Sequence, residues 1–339
     1  MPFQIMTFDG GGIRGSLVAA LLRRIEQDIP ELLANVDLFA GTSTGSAIAL
    51  SLAFGRSTSD MQTLYSMDNM KSVFGKPRWN FLRPRHSNEG LTNLLSKNFP
   101  DVAGPEGPRR LLLSELKKKV LVTAFKLDDQ RLKSWSPTFF HNYAHDETCI
   151  EPHSDQPVVD VALRSAAAPT IFPSHQGYID GGMMANNPST AAIAVALRHN
   201  TDVKIEDIRV LSIGTGYNPT LIKSGTNNWG VLQWILNPFQ QPKEPLLSIL
   251  FDGVVEADNY MSREILGDDC YCRLNLMLPT QTACDDWRAV PELVNLANSK
   301  CSDERVNEET EKVISSTVNW LKRNWFDQPR EVSIAAGMK

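Results

Sequence analysis

The sequence predicts an α/β fold with a mostly parallel central sheet covered by helices on both faces. Three observations carry this. Strand-like apolar runs alternate with helix-length segments along most of the 339 residues. Three runs end in glycine turns, at Gly10–Gly11–Gly12, Gly41–Thr42–Ser43–Thr44–Gly45 and Gly214–Thr215–Gly216. The run Val36 to Ala40 is apolar apart from Asp37, the pattern of a strand buried on both faces.

Phe3 to Phe8 forms the first strand in this reading. It feeds Asp9–Gly10–Gly11–Gly12–Ile13–Arg14–Gly15 and then a helix carrying Leu17, Leu21, Ile25, Ile29 and Leu33 at helical spacing. Gly10, Gly12 and Gly15 satisfy the dinucleotide pattern G-x-G-x-x-G. Two facts count against a nucleotide site. Asp9 would direct a carboxylate at the pyrophosphate, and the second strand ends in Gly41–Thr42–Ser43 instead of a ribose-binding acid. The alternative is an anion-binding nest of the Gly10, Gly11 and Gly12 amides, which beside a nucleophile serves as an oxyanion hole.

Between the strand at Val36–Ala40 and a helix expected over Ala47–Phe54 lies G-x-S-x-G, centred on Ser43. This is the context a nucleophile elbow requires: Gly41 and Gly45 remove side chains that would clash, and the hydroxyl sits at a helix N-terminus. The plainer alternative, a Gly/Ser-rich turn without chemistry, lacks a reason for that strand-then-helix context.

Ser57 to Val73 reads as one helix, with Ser57 and Asp60 at capping-box spacing. The irregular stretch Gly75–Gly90 mixes Lys76, Arg78, Arg83, Arg85 and His86 with Trp79, Phe81 and Leu82. It reads either as a solvated loop over packed aromatics or as a cationic, aromatic flap suited to lipid. Pro100–Pro108 is an internal connector, and Val120–Phe125 and Thr138–Phe140 are strands. A helix over Pro157–Ala168 is followed by a short strand ending in Asp180–Gly181–Gly182. Asn187 and Pro188 open a helix through Arg198, and Ile208–Ile213 is a further strand. The rest reads as helices at Trp229–Leu236, Pro245–Leu266, Pro291–Asn298 and Asp303–Trp325, with one strand at Cys270–Leu276. Without repeats or low-complexity tracts, residues 1–339 read as one domain with a core from about Phe3 to Trp325.

A hydrophobic content of 42% supports a sizeable core, and a formal charge of −5 gives no basis for binding a nucleic-acid polymer. Five cysteines, odd in number and without C-x-x-C, fit reduced thiols. The first strand begins almost at Met1, no apolar run reaches membrane-spanning length, and the expectation is a soluble, cytoplasmic protein. No His/Cys/carboxylate spacing suggests a metal, and the acidic pairs Asp268–Asp269 and Asp285–Asp286 read as solvated turns.

A nucleophilic serine needs a base. None of His86, His141, His145, His153, His175 and His199 has a triad-like context. His199 closes a helix, and His86 and His175 fall in polar loops where exposure is expected. The best-framed polar group is Asp180, with Gly181 and Gly182 permitting close backbone approach, although on spacing alone an ordinary turn would explain it.

The chain resembles the patatin-like phospholipases, a family of lipid acyl hydrolases related to calcium-independent phospholipases A2. The resemblance rests on Asp9–Gly15, Gly41–Gly45, Ala168–Pro–Thr–Ile–Phe–Pro173, Tyr178–Gly182, Asn186–Asn–Pro188 and Leu211–Gly216, and covers nearly the whole chain. It implies a three-layer α/β/α patatin-like fold and a Ser–Asp dyad, with Ser43 as nucleophile and Asp180 as base. Gly10, Gly11 and Gly12 would hold the oxyanion, Arg14 would brace the loop, and Gly15, Gly41, Gly45, Gly181 and Gly182 would complete the motifs. It also implies membrane phospholipids or galactolipids as substrates, peripheral membrane contact, and neither cofactor nor metal. An acyltransferase on the same architecture is one alternative. Another is a phospholipase effector of a bacterial anti-phage system, switched on by a small activator such as a cyclic nucleotide.

Overall fold

The computed structural model describes residues 2–78, 82–144, 153–218, 222, 225–237 and 244–326. Phe3–Phe8 (β1) is buried along all but its first residue and leads through the glycine loop into Gly15–Asp28 (α1), whose Leu17, Leu21 and Ile25 face the core. Leu38–Thr42 (β2) is wholly buried and passes directly into Thr44–Phe54 (α2). Thr58–Leu64 (α3) starts from the Ser57–Asp60 capping box. The chain then breaks instead of continuing to Val73. Ser66 caps a separate helix, Met67–Phe74 (α4), by accepting from the Asn69 N–H. Glu89–Asn98 (α5) follows.

Lys119–Asp129 (β3) and Ser134–His141 (β4) form a hairpin longer than the two short apolar runs suggest, because its outer end pairs through alternating polar residues. Val158–Ser165 (α6), Tyr178–Asp180 (β5), Gly182–Ala185 (α7), Ser189–His199 (α8) and Ile208–Ile213 (β6) come next. Val231–Ile235 (α9) is a short helix. Pro245–Ser248 (α10) runs through a π-helical turn, Ile249–Gly253, into Val254–Leu266 (α11). Tyr271–Leu274 (β7), Val290–Ala297 (α12) and Glu304–Trp320 (α13) complete the described fold.

The sheet has the order β4-β3-β2-β1-β6-β7, with β5 also paired to β3. The β2–β1, β1–β6, β6–β7 and β2–β3 pairs are parallel; β4 and β5 run antiparallel to β3. Side chains alternate between two cores. Met6, Phe8, Phe39, Val120 and Val122 pack with Leu17, Leu21 and Ile48 of α1 and α2. Ile5, Leu38, Ala40, Leu121 and Val210 pack with Ala192, Ile193 and Ala196 of α8. Helices therefore cover both faces, as a mostly parallel sheet requires.

The expected exposure of two histidines is corrected. His86 is 2% exposed, wedged against the rings of Phe74 and Phe172. His175 is half-buried and bonded to Asp160 at 2.9 Å. Trp79, Phe81, His145 and Cys149 lie outside the described residues. Among the described residues, no helix is long and apolar enough to cross a membrane, and no group of three or more metal-ligating side chains comes together.

Candidate active site

β2 ends at Thr42 and α2 begins at Thr44, so Ser43 alone makes the turn, at φ 53° and ψ −120°. Such a conformation costs a non-glycine residue about 1–3 kcal/mol and persists only where the surroundings impose it. Here they do. A Cβ on Gly41 would lie 2.1 Å from the Gly45 carbonyl oxygen, and one on Gly45 would lie 2.2 Å from that of Phe8. The Ser43 N–H donates to Ser165 Oγ at 2.8 Å, and its carbonyl accepts from the Ser46 N–H and hydroxyl. The backbone is thus fully tied, while the hydroxyl faces an open cleft at the N-terminus of an 11-residue helix.

Strand register brings Asp180 to it. β2 pairs with β3 up to Thr42↔Thr123, and β5 takes over the same edge of β3 at Ala124↔Asp180. Residues far apart in sequence therefore meet across one step of β3. Asp180 Oδ1 accepts from the Gly182 N–H at 2.7 Å. Burial pushes its carboxyl from 3.8 up to about 7, and the bonds from the Ser43 hydroxyl and the Gly182 amide offset only part of that rise. A carboxylate of this kind accepts a proton near neutrality, which an ordinary aspartate does poorly.

The glycine loop lies against the serine: a Cβ on Gly10 would sit 3.2 Å from Ser43 Cβ. The expected three-amide nest is corrected at one member. The Gly10 N–H donates to the Asn186 carbonyl at 3.1 Å, which leaves the amides of Gly11 and Gly12 as the loop's available donors. Gly12 takes φ 59°, and a Cβ there would fall 2.0 Å from the Cys284 carbonyl oxygen. Arg14 contacts the loop and its surroundings, with Nε on the Gly11 carbonyl, Nη1 on the Gly216 carbonyl and Nη2 3.7 Å from Asp252. Gly15 and Gly181 are fixed by close approach to Tyr65 and Thr123, and Gly182 by Phe251.

Several supports were not legible beforehand. Arg273 reaches from β7 to Asp9 with two bonds, Nη1 to Oδ1 at 3.0 Å and Nη2 to Oδ2 at 2.5 Å. Burial works against the Arg273 charge, and the Asp9 carboxylate more than restores it. Thr215 Oγ1 donates to the Gly10 carbonyl at 2.8 Å, and Asn186 Nδ2 to the Phe251 carbonyl at 2.9 Å. Asp9 directly before the glycines was the one available hint, since a carboxylate beside a buried strand needs a cation. Nothing in the sequence singles out Arg273 as that cation.

The cleft above Ser43 and Asp180 has a volume of about 1210 Å³. Its floor is the polar set just described; its walls are apolar, with Met70, Val73, Phe74, Leu94, Ile171 and Phe172. Asp285 is not the solvated turn expected. It joins His86 Nε2 at 3.2 Å and Arg85 Nη1 at 2.7 Å, tying the loop before α5 to the segment that abuts Gly12. Cys284 also lines the cleft, but burial pushes its thiol up to about 12, so it stays protonated and unreactive.

The family model described as "Patatin-like phospholipase" matches residues 6–193. Protein teg of Priestia megaterium is 34% identical over 319 residues, 87% of this chain and 94% of that one. The cGAMP-activated phospholipase of Vibrio cholerae is 28% identical over 334 residues, 87% of this chain and 88% of that one. Among solved structures, VipD from Legionella pneumophila matches over 93% of this chain and 67% of its own, at 14% identity and a TM-score of 0.40.

Proposed function

Because the chain belongs to the patatin-like phospholipase family, we propose that it is a cytoplasmic lipid acyl hydrolase working through a Ser43–Asp180 dyad. The observation that carries this is the meeting of a strained serine with a buried carboxyl, raised to about 7, at the floor of an apolar cleft of about 1210 Å³. The reading treats residues 1–339 as one catalytic domain.

In the first half-reaction Asp180 takes the Ser43 proton as Oγ adds to the ester carbonyl. The Gly11 and Gly12 amides hold the oxyanion, with no backbone reorganisation because Arg14, Thr215 and the Asp9–Arg273 pair already fix the loop. The tetrahedral intermediate collapses, the alcohol leaves with the proton held by Asp180, and the acyl chain stays on Ser43 along the apolar wall. Water then enters and adds to the acyl carbonyl as Asp180 takes its proton; the second tetrahedral intermediate collapses, Asp180 returns that proton to Ser43 Oγ, and the fatty acid is released. The residues supply every proton transfer, so no cofactor or metal is invoked.

The test is fatty-acid release from phospholipid vesicles and turnover of a short-chain soluble ester. Ser43→Ala is expected to lower both by about a thousand-fold or more, the scale of losing a nucleophile. Near-wild-type turnover by Ser43→Ala refutes the assignment. His→Gln at each of the six histidines is expected to leave the soluble-ester rate within about tenfold; a thousand-fold loss at one of them would restore a triad. The likeness to a cGAMP-activated phospholipase supports a second feature, control by a small activator. Its check is the same vesicle assay with and without cyclic dinucleotide.

A further inference from the structure

Beside the mouth of the cleft lies an apolar surface with nothing packed over it among the described residues. It is built on α9. Val231 and Leu232 are 72% and 77% exposed, and Ile235 and Leu236 are 55% and 52% exposed. Helices of a folded chain normally turn their apolar stripe inward, and apolar residues exposed in succession mark an interaction surface. Trp229 and Trp234 meet edge to face at 5.1 Å and form a shallow hollow with Val231 and Leu246. Ile249, in the π-helical turn after α10, is exposed as well.

Charge and continuity say what covers it. Between Asp207 and Glu244 the sequence contains no acidic residue. The cleft's rim adds Arg78 and Arg83, both exposed. Arg85 is committed elsewhere, to Asp285 at 2.7 Å and Glu244 at 3.8 Å. Ile235 and Leu236 line the cleft itself, so the outer patch and the apolar wall leading down to Ser43 are one surface. Uncharged apolar side chains with tryptophans among them, flanked by cations, match the acyl–headgroup boundary of an anionic bilayer. A water-soluble partner would gain nothing from an apolar path into the catalytic cleft; a lipid leaving a bilayer would.

We propose that α9 and Leu236 at its C-terminal end form the membrane-docking element, inserting Val231, Leu232, Ile235 and Leu236 into an anionic lipid surface while Arg78 and Arg83 meet headgroup phosphates. A lipid then passes from bilayer to cleft without exposing its acyl chain to water. The proposal rests on the lipid-hydrolase reading above, yet docking is measurable without turnover.

The experiment is co-sedimentation of the Ser43→Ala protein with vesicles of equal parts phosphatidylglycerol and phosphatidylcholine. Binding is expected, weakened at least tenfold by Leu232→Asp and by Val231→Asp, each variant checked for an unchanged far-UV spectrum. Arg78→Gln with Arg83→Gln is expected to weaken binding at low salt and to matter little at high salt. Absence of binding by the parent, or undiminished binding by both Asp variants, overturns the proposal. So does a dimer in sedimentation velocity that Leu232→Asp converts to monomer, which would assign the patch to a second copy of the chain. If docking behaves as expected while the wild-type protein releases no fatty acid, the hydrolase reading fails and the docking surface stands.

Discussion

Replacing Asp180 by Asn should inactivate the protein and stabilise it at the same time, and the size of the second effect follows from the site. Asp180 is 1% exposed and its carboxyl is raised from 3.8 to about 7. At about 1.36 kcal/mol per tenfold change in proton affinity, holding that carboxylate ionised costs the folded state about 4 kcal/mol. The sign follows from proton counting. Between about pH 4 and pH 7 the unfolded chain has released this proton and the folded one retains it, so stability falls across that window and levels off above it. In Asp180→Asn the side chain carries no charge at any pH, and its amide oxygen can still accept the Gly182 N–H. The variant should therefore match wild type within about 1 kcal/mol at pH 4 and exceed it by up to about 4 kcal/mol at pH 8. Urea unfolding of both proteins at the two pH values isolates the effect, because every other titrating group cancels in the comparison. A variant equally stable relative to wild type at pH 4 and pH 8 would refute the reasoning, showing that Asp180 titrates in the folded protein as it does in the unfolded one.

Two further outcomes follow from the same geometry. Arg273→Met leaves the Asp9 carboxylate buried without its bidentate partner and should cost about 3–5 kcal/mol in urea unfolding; a loss below about 1 kcal/mol would mean the pair is dispensable. Gly45→Ala places a methyl 2.2 Å from the Phe8 carbonyl oxygen and should destabilise by about 1–3 kcal/mol or more, in contrast to the control Gly253→Ala, where a helical φ of −71° and a nearest contact of 3.6 Å leave room for the methyl.

What the chain order made legible is what local backbone geometry dictates. Gly41, Ser43 and Gly45 lie within five consecutive residues between a strand and a helix, so the elbow could be read before any tertiary contact was known. The strands Phe3–Phe8 and Ile208–Ile213 stand at their expected bounds, since mostly apolar runs leading into glycine turns leave little freedom. The capping box at Ser57 is equally local, and so is the Ser66 cap that splits the single helix expected over Ser57–Val73.

Long-range register decided the rest. Asp180 could be linked to Ser43 only through family resemblance, because their meeting depends on β2 and β5 sharing one edge of β3. His86 and Asp285 looked solvated in sequence because polar neighbours surround them there; in space they face each other, with His86 seated among the rings of Phe74 and Phe172. The Gly10 amide, expected among the oxyanion donors, is instead bonded to the carbonyl of Asn186, a residue 176 positions away that lies within reach only once the sheet has formed. The turn that presents Ser43, the proposed nucleophile, was readable in advance because neighbours along the chain set it. The raised proton affinity of Asp180, the loop's free amides and the cation holding Asp9 were not, because burial and partnership arise only when distant segments pack.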